Sequence, residues 1–424
     1  MSKQKHILPI NWKMKTLEEI GLFSKGKGIR KDEVLDNGMP CIRYGEIYTK
    51  YDFVIKKFHS FVDPKNIEQT KLIKNNDLLF AGSGEKVEEI GKCIAYTKNL
   101  EAYAGGDIII LSLNKDVESL YFSYYLNTQG RRQINKLGAG NSVVHIYSKN
   151  LKRVEIPVPP LPEQQKIADI LTKWDEGIEV CGKLLDAKKE LKKGLMQKLL
   201  TGLVRFSKFG KSVDSKSELP DGWKKMTLNE IGEISSAGVD KKIIETETKV
   251  KLLNFMDIYK RDFIYNLHLI HIVTAPDYKI QKCNIKKGDV FFTPSSETSK
   301  DIAHSAVSIE DIELGVYSYH IVRLRPTIDM DLLFRVYAFK TDLFYKEAYR
   351  LAAGSGQRYV ISQGDFRKMK VKIPTDTKEQ QKIALILSTL DKEIELLTQK
   401  LQQFKLQKKG LMQKLLTGKI RVKI

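Results

Sequence analysis

The sequence predicts an α+β chain in which two mixed α/β modules, in pseudo-two-fold tandem repeat, are separated by two long helices forming an antiparallel coiled coil. Three observations carry this. Lys192–Gly202 and Lys408–Gly418 share the same eleven residues, KKGLMQKLLTG, and EQQKIA recurs at Glu163–Ala168 and Glu379–Ala384, also 216 residues apart. Two identical blocks at one offset mark a duplication. Each repeat ends in a sustained seam: Ile167, Leu171, Trp174, Ile178, Cys181, Leu185, Leu195 and Leu199, then Ile383, Leu387, Leu390, Ile394, Leu397, Leu401, Phe404, Leu411 and Leu415. Alternating steps of three and four put these on one helix face. Between the anchors, Ile29–Pro64 has no convincing partner in Lys241–Pro276. One scaffold used twice, holding two modules that contact different things, explains such a contrast.

Taken in order, the expected segments are a first module over 1–160, a helix over 161–202, a linker over 203–218, a second module over 219–375 and a helix over 376–424. The modules open alike, LPINWKMKTLEEIG from Leu8 and LPDGWKKMTLNEIG from Leu219, offset by 211. Short apolar runs at Asp77–Phe80, Ile108–Leu113, Val290–Thr293 and Ile321–Leu324 read as strands. Leu120–Leu137 and Leu332–Leu351, rich in Tyr, Phe and Leu, read as helices. Pro162 and Gly202 are start and stop signals for the first long helix, and Pro374 and Gly418 for the second. Glu163–Leu200 spans roughly 57 Å at 1.5 Å per residue. Neither seam can stay exposed, so the two helices pair; a two-fold relation makes the pairing antiparallel and sets the modules at opposite ends. Phe206–Glu218, rich in Ser and Lys, reads as the linker.

A net charge of +20 on 424 residues asks for a polyanionic partner. The helical segments 163–202 and 379–418 hold fifteen Lys or Arg against eleven Asp or Glu, or +4, so most of the charge belongs to the modules. No run of 18 apolar residues and no basic amphipathic anchor points to a membrane, and a cytoplasmic location is expected. Cys41, Cys93, Cys181 and Cys283 lie far apart and read as buried thiols.

A catalytic constellation is not visible. Gly21–Gly28 (GLFSKGKG) resembles a phosphate-binding loop, but Gly28 stands where the magnesium-holding hydroxyl belongs. No methyltransferase motif occurs. His268 and His271 lack the remaining residues of a zinc motif, and Asp186 and Lys188 sit in the coiled-coil helix as solvated charge.

The LP-x-x-W openings, the strands NDLLF and GDVFF followed by SGEK and SSET from Ser83 and Ser295, the run IPVPPLPEQQKIA from Ile156 and the KKGLMQKLLTG ends together resemble the specificity subunits of Type I restriction-modification systems. The resemblance covers essentially the whole chain. It departs locally at Pro374-Thr-Asp-Thr-Lys, which replaces the proline-rich stretch. The resemblance implies two target recognition domains, each reading one half of a gapped double-stranded DNA target. It implies helices that set the gap and dock two modification (methyltransferase) subunits, with restriction/translocase subunits beyond. No cofactor is expected in this chain; S-adenosylmethionine, ATP and Mg belong to those partners. Two other readings stay open: an autonomous DNA-modifying enzyme, and a coiled-coil scaffold whose basic modules bind RNA or protein.

Base reading needs Arg, Lys, Asn or Gln aimed into a groove, so basic and polar loop residues are the candidates. In the first module these are Lys25, Lys27, Arg30, Arg43, Tyr44, Lys86, Asn141 and Ser142. In the second they are Lys241, Lys242, Ser296, Thr298, Lys300, Gln357, Arg358 and Tyr359. The loops Gly138–Ser142 (GAGNS) and Gly354–Arg358 (GSGQR) occupy matching places with different polar residues. In the repeated helix end, Gly194, Met196, Gly410 and Met412 are candidates for partner contact. A mid-helix glycine costs about 1 kcal/mol, and close approach by the other helix or by a methyltransferase subunit would justify it.

Overall fold

A computed structural model describes residues 8–424 apart from 141–143, 217, 237 and 357. The chain divides into two compact units, residues 1–182 with 399–424, and residues 183–398. Each unit holds one module and half of each long helix.

In the first unit an antiparallel sheet runs in the order Gly21–Lys25, Ile108–Leu113, Asp77–Ala81, Cys93–Tyr96. The second unit repeats it as Gly232–Ser235, Val322–Pro326, Val290–Phe292, Ser305–Ser308, and adds Phe263–Ile264 in parallel at the edge. A further sheet in the first unit has the order Ser60–Val62, Met39–Ile42, Ala102–Ala104, Lys71–Ile73, with its central pair parallel. The second unit builds the same order, Ile272–Ala275, Thr248–Leu253, Ile312–Tyr317, Asn284–Ile285, again with a parallel central pair, although its first two strands come from the stretch without sequence match. A sheet asks only for buried aliphatic residues at alternate positions, so its topology outlasts residue identity.

The expected single helices at 120–137 and 332–351 are each two. Ser119–Leu126 is followed by Arg131–Asn135, because the Asn127 amide between them exchanges hydrogen bonds with the Cys93 backbone, 3.1 Å from its N–H and 2.6 Å to its carbonyl. Leu332–Ala338 stops before Asp342–Leu351, whose N-cap Thr341 accepts from the Phe344 N–H.

The long helices are Leu161–Leu199 and Thr377–Leu415. Pro162 therefore lies inside the first turn and not before it, where its missing N–H costs nothing. Pro374 ends the strand Lys370–Pro374, and Asp376 caps the second helix through the Lys378 N–H at 2.8 Å. Within the first unit the two helical segments run antiparallel. Trp174 meets Phe404 edge-on at 5.6 Å, and Ile167 and Leu171 share a core with Met412, Leu415 and Leu416. In the second unit Leu199 and Leu200 share a core with Ile383, Ala384 and Leu387.

The repeated motifs form one clasp, built twice. In the first unit the Trp12 indole donates to Glu163 at 3.0 Å and Arg421 grips the same carboxylate at 2.6 and 2.7 Å. In the second unit Trp223 donates to Glu379 at 3.2 Å and Arg205 grips it through two nitrogens at 2.8 Å each. Gln164 and Gln380 donate to the Pro159 and Pro374 carbonyls, each at 2.8 Å. Gly418 and Gly202, both left-handed, lie so close to Pro9 and Pro220 that a Cβ would fall 2.3 and 2.2 Å from the proline rings.

The leading lysine of the eleven-residue block is fixed in the same manner. Lys408 pairs with Asp175, whose other oxygen accepts from Tyr124 at 2.7 Å. Lys192 pairs with Asp391, whose other oxygen accepts from Tyr337 at 2.7 Å. Identity between the blocks thus reflects two identical sockets, which hydrophobic seam packing alone does not require. The 206–218 stretch is not a free tether: Val213 N–H bonds to Gly202 at 3.0 Å and Lys372 donates to the Lys216 carbonyl at 2.9 Å.

Candidate nucleic-acid interface

In the first unit three elements converge. The helix Tyr44–Thr49 carries Tyr48, whose hydroxyl donates to the Ser83 carbonyl at 2.9 Å. Burial pushes this phenol up to about 12, so it remains a donor. Ser83–Gly84 pairs with Val144–His145, and the Ser83 hydroxyl lies 3.0 Å from His145 Nδ1. Beyond the pairing, Tyr147 is 54% exposed, its ring stacked 6.4 Å from His145, with the Lys149 ammonium 5.9 Å from its centroid. The following loop is held by Arg131, which donates to the carbonyls of Glu88 and Ile90. The result is a hydrogen-bonded platform with an exposed aromatic face and exposed cations, Lys86 and Lys149.

The second unit builds the same platform from different residues. The helix Phe255–Tyr259 replaces Tyr44–Thr49, and Ser295–Ser296 pairs with Arg358–Val360, which closes a hairpin with Ala353–Ser355. Met256, Ser296, Glu297, His320 and Arg358 line one hollow. Burial first, and then the nearby cations Arg358 and Lys241, hold His320 below the ordinary histidine value. Tyr259 donates to Asp301 at 2.9 Å, and Asp301 also lies 2.7 Å from His304 Nε2.

Of the sequence-derived candidates, the second unit brings together Lys241, Ser296, Arg358 and Tyr359, with Tyr359 opposite Ser296 in the ladder. Thr298 bonds to the Ser296 hydroxyl at 3.2 Å and Lys300 is exposed on the same loop. Lys242 instead holds Thr274 through its backbone carbonyl at 3.1 Å. In the first unit Tyr44, 41% exposed, and Lys86 flank the platform. Arg43 caps the Tyr44–Thr49 helix and pairs with Glu46 at 3.7 Å, so its side chain is committed to the fold. Lys25 pairs with Asp107 at 3.8 Å. Lys27 and Arg30 are not gathered there; they line a separate hollow with Glu33, Asn66 and Gln69. Asn141, Ser142 and Gln357 lie outside the described residues.

Two expectations for the helix ends are corrected. Met412 is 7% exposed inside the first core and Met196 packs against the second, so both face inward. A Cβ on Gly194 or Gly410 would meet nothing within 4 Å, so neither glycine admits the other helix.

Sequence reading missed Tyr48, His145, Tyr147, Met256 and His320. Their signal is three-dimensional, since the helix and hairpin that join them are far apart in the chain. Among the described residues no group of three or more His, Cys, Asp or Glu could hold a metal, and no helix is long and apolar enough to cross a membrane.

Comparison with known proteins finds the same division of the chain into two like halves. The chain is 27% identical over 436 residues to the Type I restriction enzyme MjaVIII specificity subunit of Methanocaldococcus jannaschii, covering 98% of this chain and 94% of that protein. It is 27% identical over 437 residues to the putative MjaX specificity subunit of the same organism, covering 98% and 95%. The crystal structure of a Type I restriction-modification S subunit from M. genitalium shares the fold with a TM-score of 0.57 at 18% identity, covering 98% of both chains. The family model described as Type I restriction modification DNA specificity domain matches residues 9–187 and again 220–406. With both halves matched, the chain belongs to the Type I restriction-modification DNA specificity family and carries two of its domains in tandem.

Proposed function

We propose that this chain is the non-catalytic, DNA-reading subunit of a Type I restriction-modification complex, each module reading one half of a gapped double-stranded target. The observation that carries this is one platform built twice with different surface chemistry: Tyr44, Lys86 and Tyr147 in the first unit, Met256, His320 and Arg358 in the second. A common frame with different polar tips suits two unlike half-sites.

The helices set the distance between half-sites and dock two modification subunits. In the second unit Leu184 and Leu191 are exposed on the face that also carries Gly194, and in the first Leu406 is exposed one turn before Gly410. Such open apolar stripes suit a partner. S-adenosylmethionine, ATP and Mg belong to the modification and restriction/translocase subunits, and the complex works in the prokaryotic cytoplasm.

The test is methylome sequencing of cells expressing this chain with its companion methyltransferase, against cells lacking this chain. A gapped two-part methylated motif that vanishes without the chain is expected. An active methyltransferase with no such motif would overturn the proposal in favour of a scaffold binding RNA or protein.

A further inference from the structure

The second module contains a buried cation that its fold does not explain. Arg323 is 5% exposed, and its Nη1 donates only to carbonyls, Lys282 at 3.3 Å and Asn284 at 3.0 Å. Its Nε has no partner, and the Tyr317 ring lies 5.4 Å from the guanidinium. Two residues on, Arg325 is neutralised by Asp289 through two bonds of 2.7 Å. No such carboxylate serves Arg323 among the described residues. A buried charge without a counter-ion is costly, and aromatic and carbonyl contacts only partly offset it.

The frame does not need this charge. Strand register places Gly232 against Pro326 and Gly21 against Leu113, so Arg323 corresponds to Ile110 and Arg325 to Ser112. Ile110 is buried in an apolar core of the first unit. The first module therefore fills the same position with a hydrocarbon.

Arg323 borders a hollow of about 670 Å³ that Arg325, Arg367 and Lys282 also line, with Glu233 the single carboxylate among the lining residues. Arg367 and Lys282 are exposed. With Arg325 already neutralised by Asp289, the hollow still carries three cations, Arg323, Arg367 and Lys282, against the one carboxylate of Glu233. Around a space larger than a water site, this surplus matches the charge and the many acceptor oxygens of a phosphate group.

We propose that the second module holds a phosphate-binding pocket built on Arg323, Arg325, Arg367 and Lys282, without counterpart in the first. The phosphate comes either from a DNA backbone, in which case the pocket rests on the DNA-reading function and extends it, or from a free phosphate-bearing ligand. The full-length chain is titrated with pyrophosphate at constant ionic strength, and with duplex DNA across a salt series. The variants are Arg323→Ile, which installs the first module's residue, and the surface double variant Lys282→Gln with Arg367→Gln, which leaves the buried frame intact.

A free ligand predicts pyrophosphate binding that weakens about tenfold or more in both variants, with duplex affinity unchanged. A backbone phosphate predicts weaker duplex binding in the double variant, with the logarithmic salt slope reduced by about two. Absence of pyrophosphate binding together with unchanged duplex affinity and slope in the double variant overturns the pocket, as does pyrophosphate binding that survives both variants. A wild-type chain that binds no duplex at all counts against the DNA-reading function, and the pyrophosphate titration then decides the pocket by itself.

Discussion

Arg421 closes a two-pronged ion pair on Glu163, a carboxylate with no exposed surface, across 258 residues of chain. Arg205 and Glu379 repeat the pairing in the second unit with both partners buried. Removing one partner of a buried pair leaves an uncompensated charge, at a cost of about 3–5 kcal/mol.

Arg205→Ala should therefore destabilise the second unit by about 3 kcal/mol, reduced from the upper limit because Trp223 still donates to Glu379. Arg421→Ala should cost less, since its guanidinium is partly exposed. Denaturant unfolding measures both. A loss under about 1 kcal/mol for Arg205→Ala would mean that the clasp behaves as a surface ion pair.

Duplex binding should take up a proton at His320. Its folded-state value lies below the ordinary histidine value through burial, Arg358 and Lys241. The unfolded chain thus binds this proton at higher pH than the folded one, so the group's stability contribution is full above about pH 6.5. That contribution is lost as pH falls toward the folded-state value. A phosphate beside His320 favours the imidazolium, so affinity should rise as pH falls from 7.5 to 5.5. Binding titrations with wild type and His320→Gln check this, and equal pH slopes would remove His320 from the interface.

Arg358→Ala should relax recognition in one half-site only. Arg358 belongs to the hairpin of the second platform, and a lost base contact costs about 1–3 kcal/mol at the position it reads. Methylome sequencing of the variant should show degeneracy on one side of the gap. Uniform weakening of both sides would identify Arg358 as a phosphate contact instead.

The double variant Gly194→Ala, Gly410→Ala should stabilise the isolated chain, since the added methyls meet open space and alanine favours helix by about 1 kcal/mol per site. Association with the methyltransferase should weaken if that open space is where the partner lies. Thermal unfolding and co-purification read the two effects separately, and normal assembly and methylation would end the docking role of these glycines.

The sequence made the seam visible because helical periodicity is local, and the duplication visible because its sockets demand specific side chains. The strand Ile108–Leu113 was legible for the same local reason. What stayed hidden depends on distance in the chain. Nothing near Lys408 announces Asp175, and nothing near Ser83 announces Tyr48. Basic residues looked alike in the sequence, yet Arg43 is spent on Glu46 while Arg358 opens into a hollow. The shared topology of Ile29–Pro64 and Lys241–Pro276 was unreadable because sheets constrain burial pattern far more than identity.

The first unit is assembled from residues 1–182 and 399–424, whereas the second is continuous. On the ribosome, Glu163 emerges 258 residues before Arg421, a wait of roughly 13 to 52 s at about 5–20 residues per second. Ile167 and Leu171 spend that interval without Met412 and Leu415 to cover them. The module translated first is thus the last to be completed, and a premature stop near residue 399 would cripple the beginning of the protein while sparing its middle. Chaperone demand during synthesis should concentrate on the earlier half.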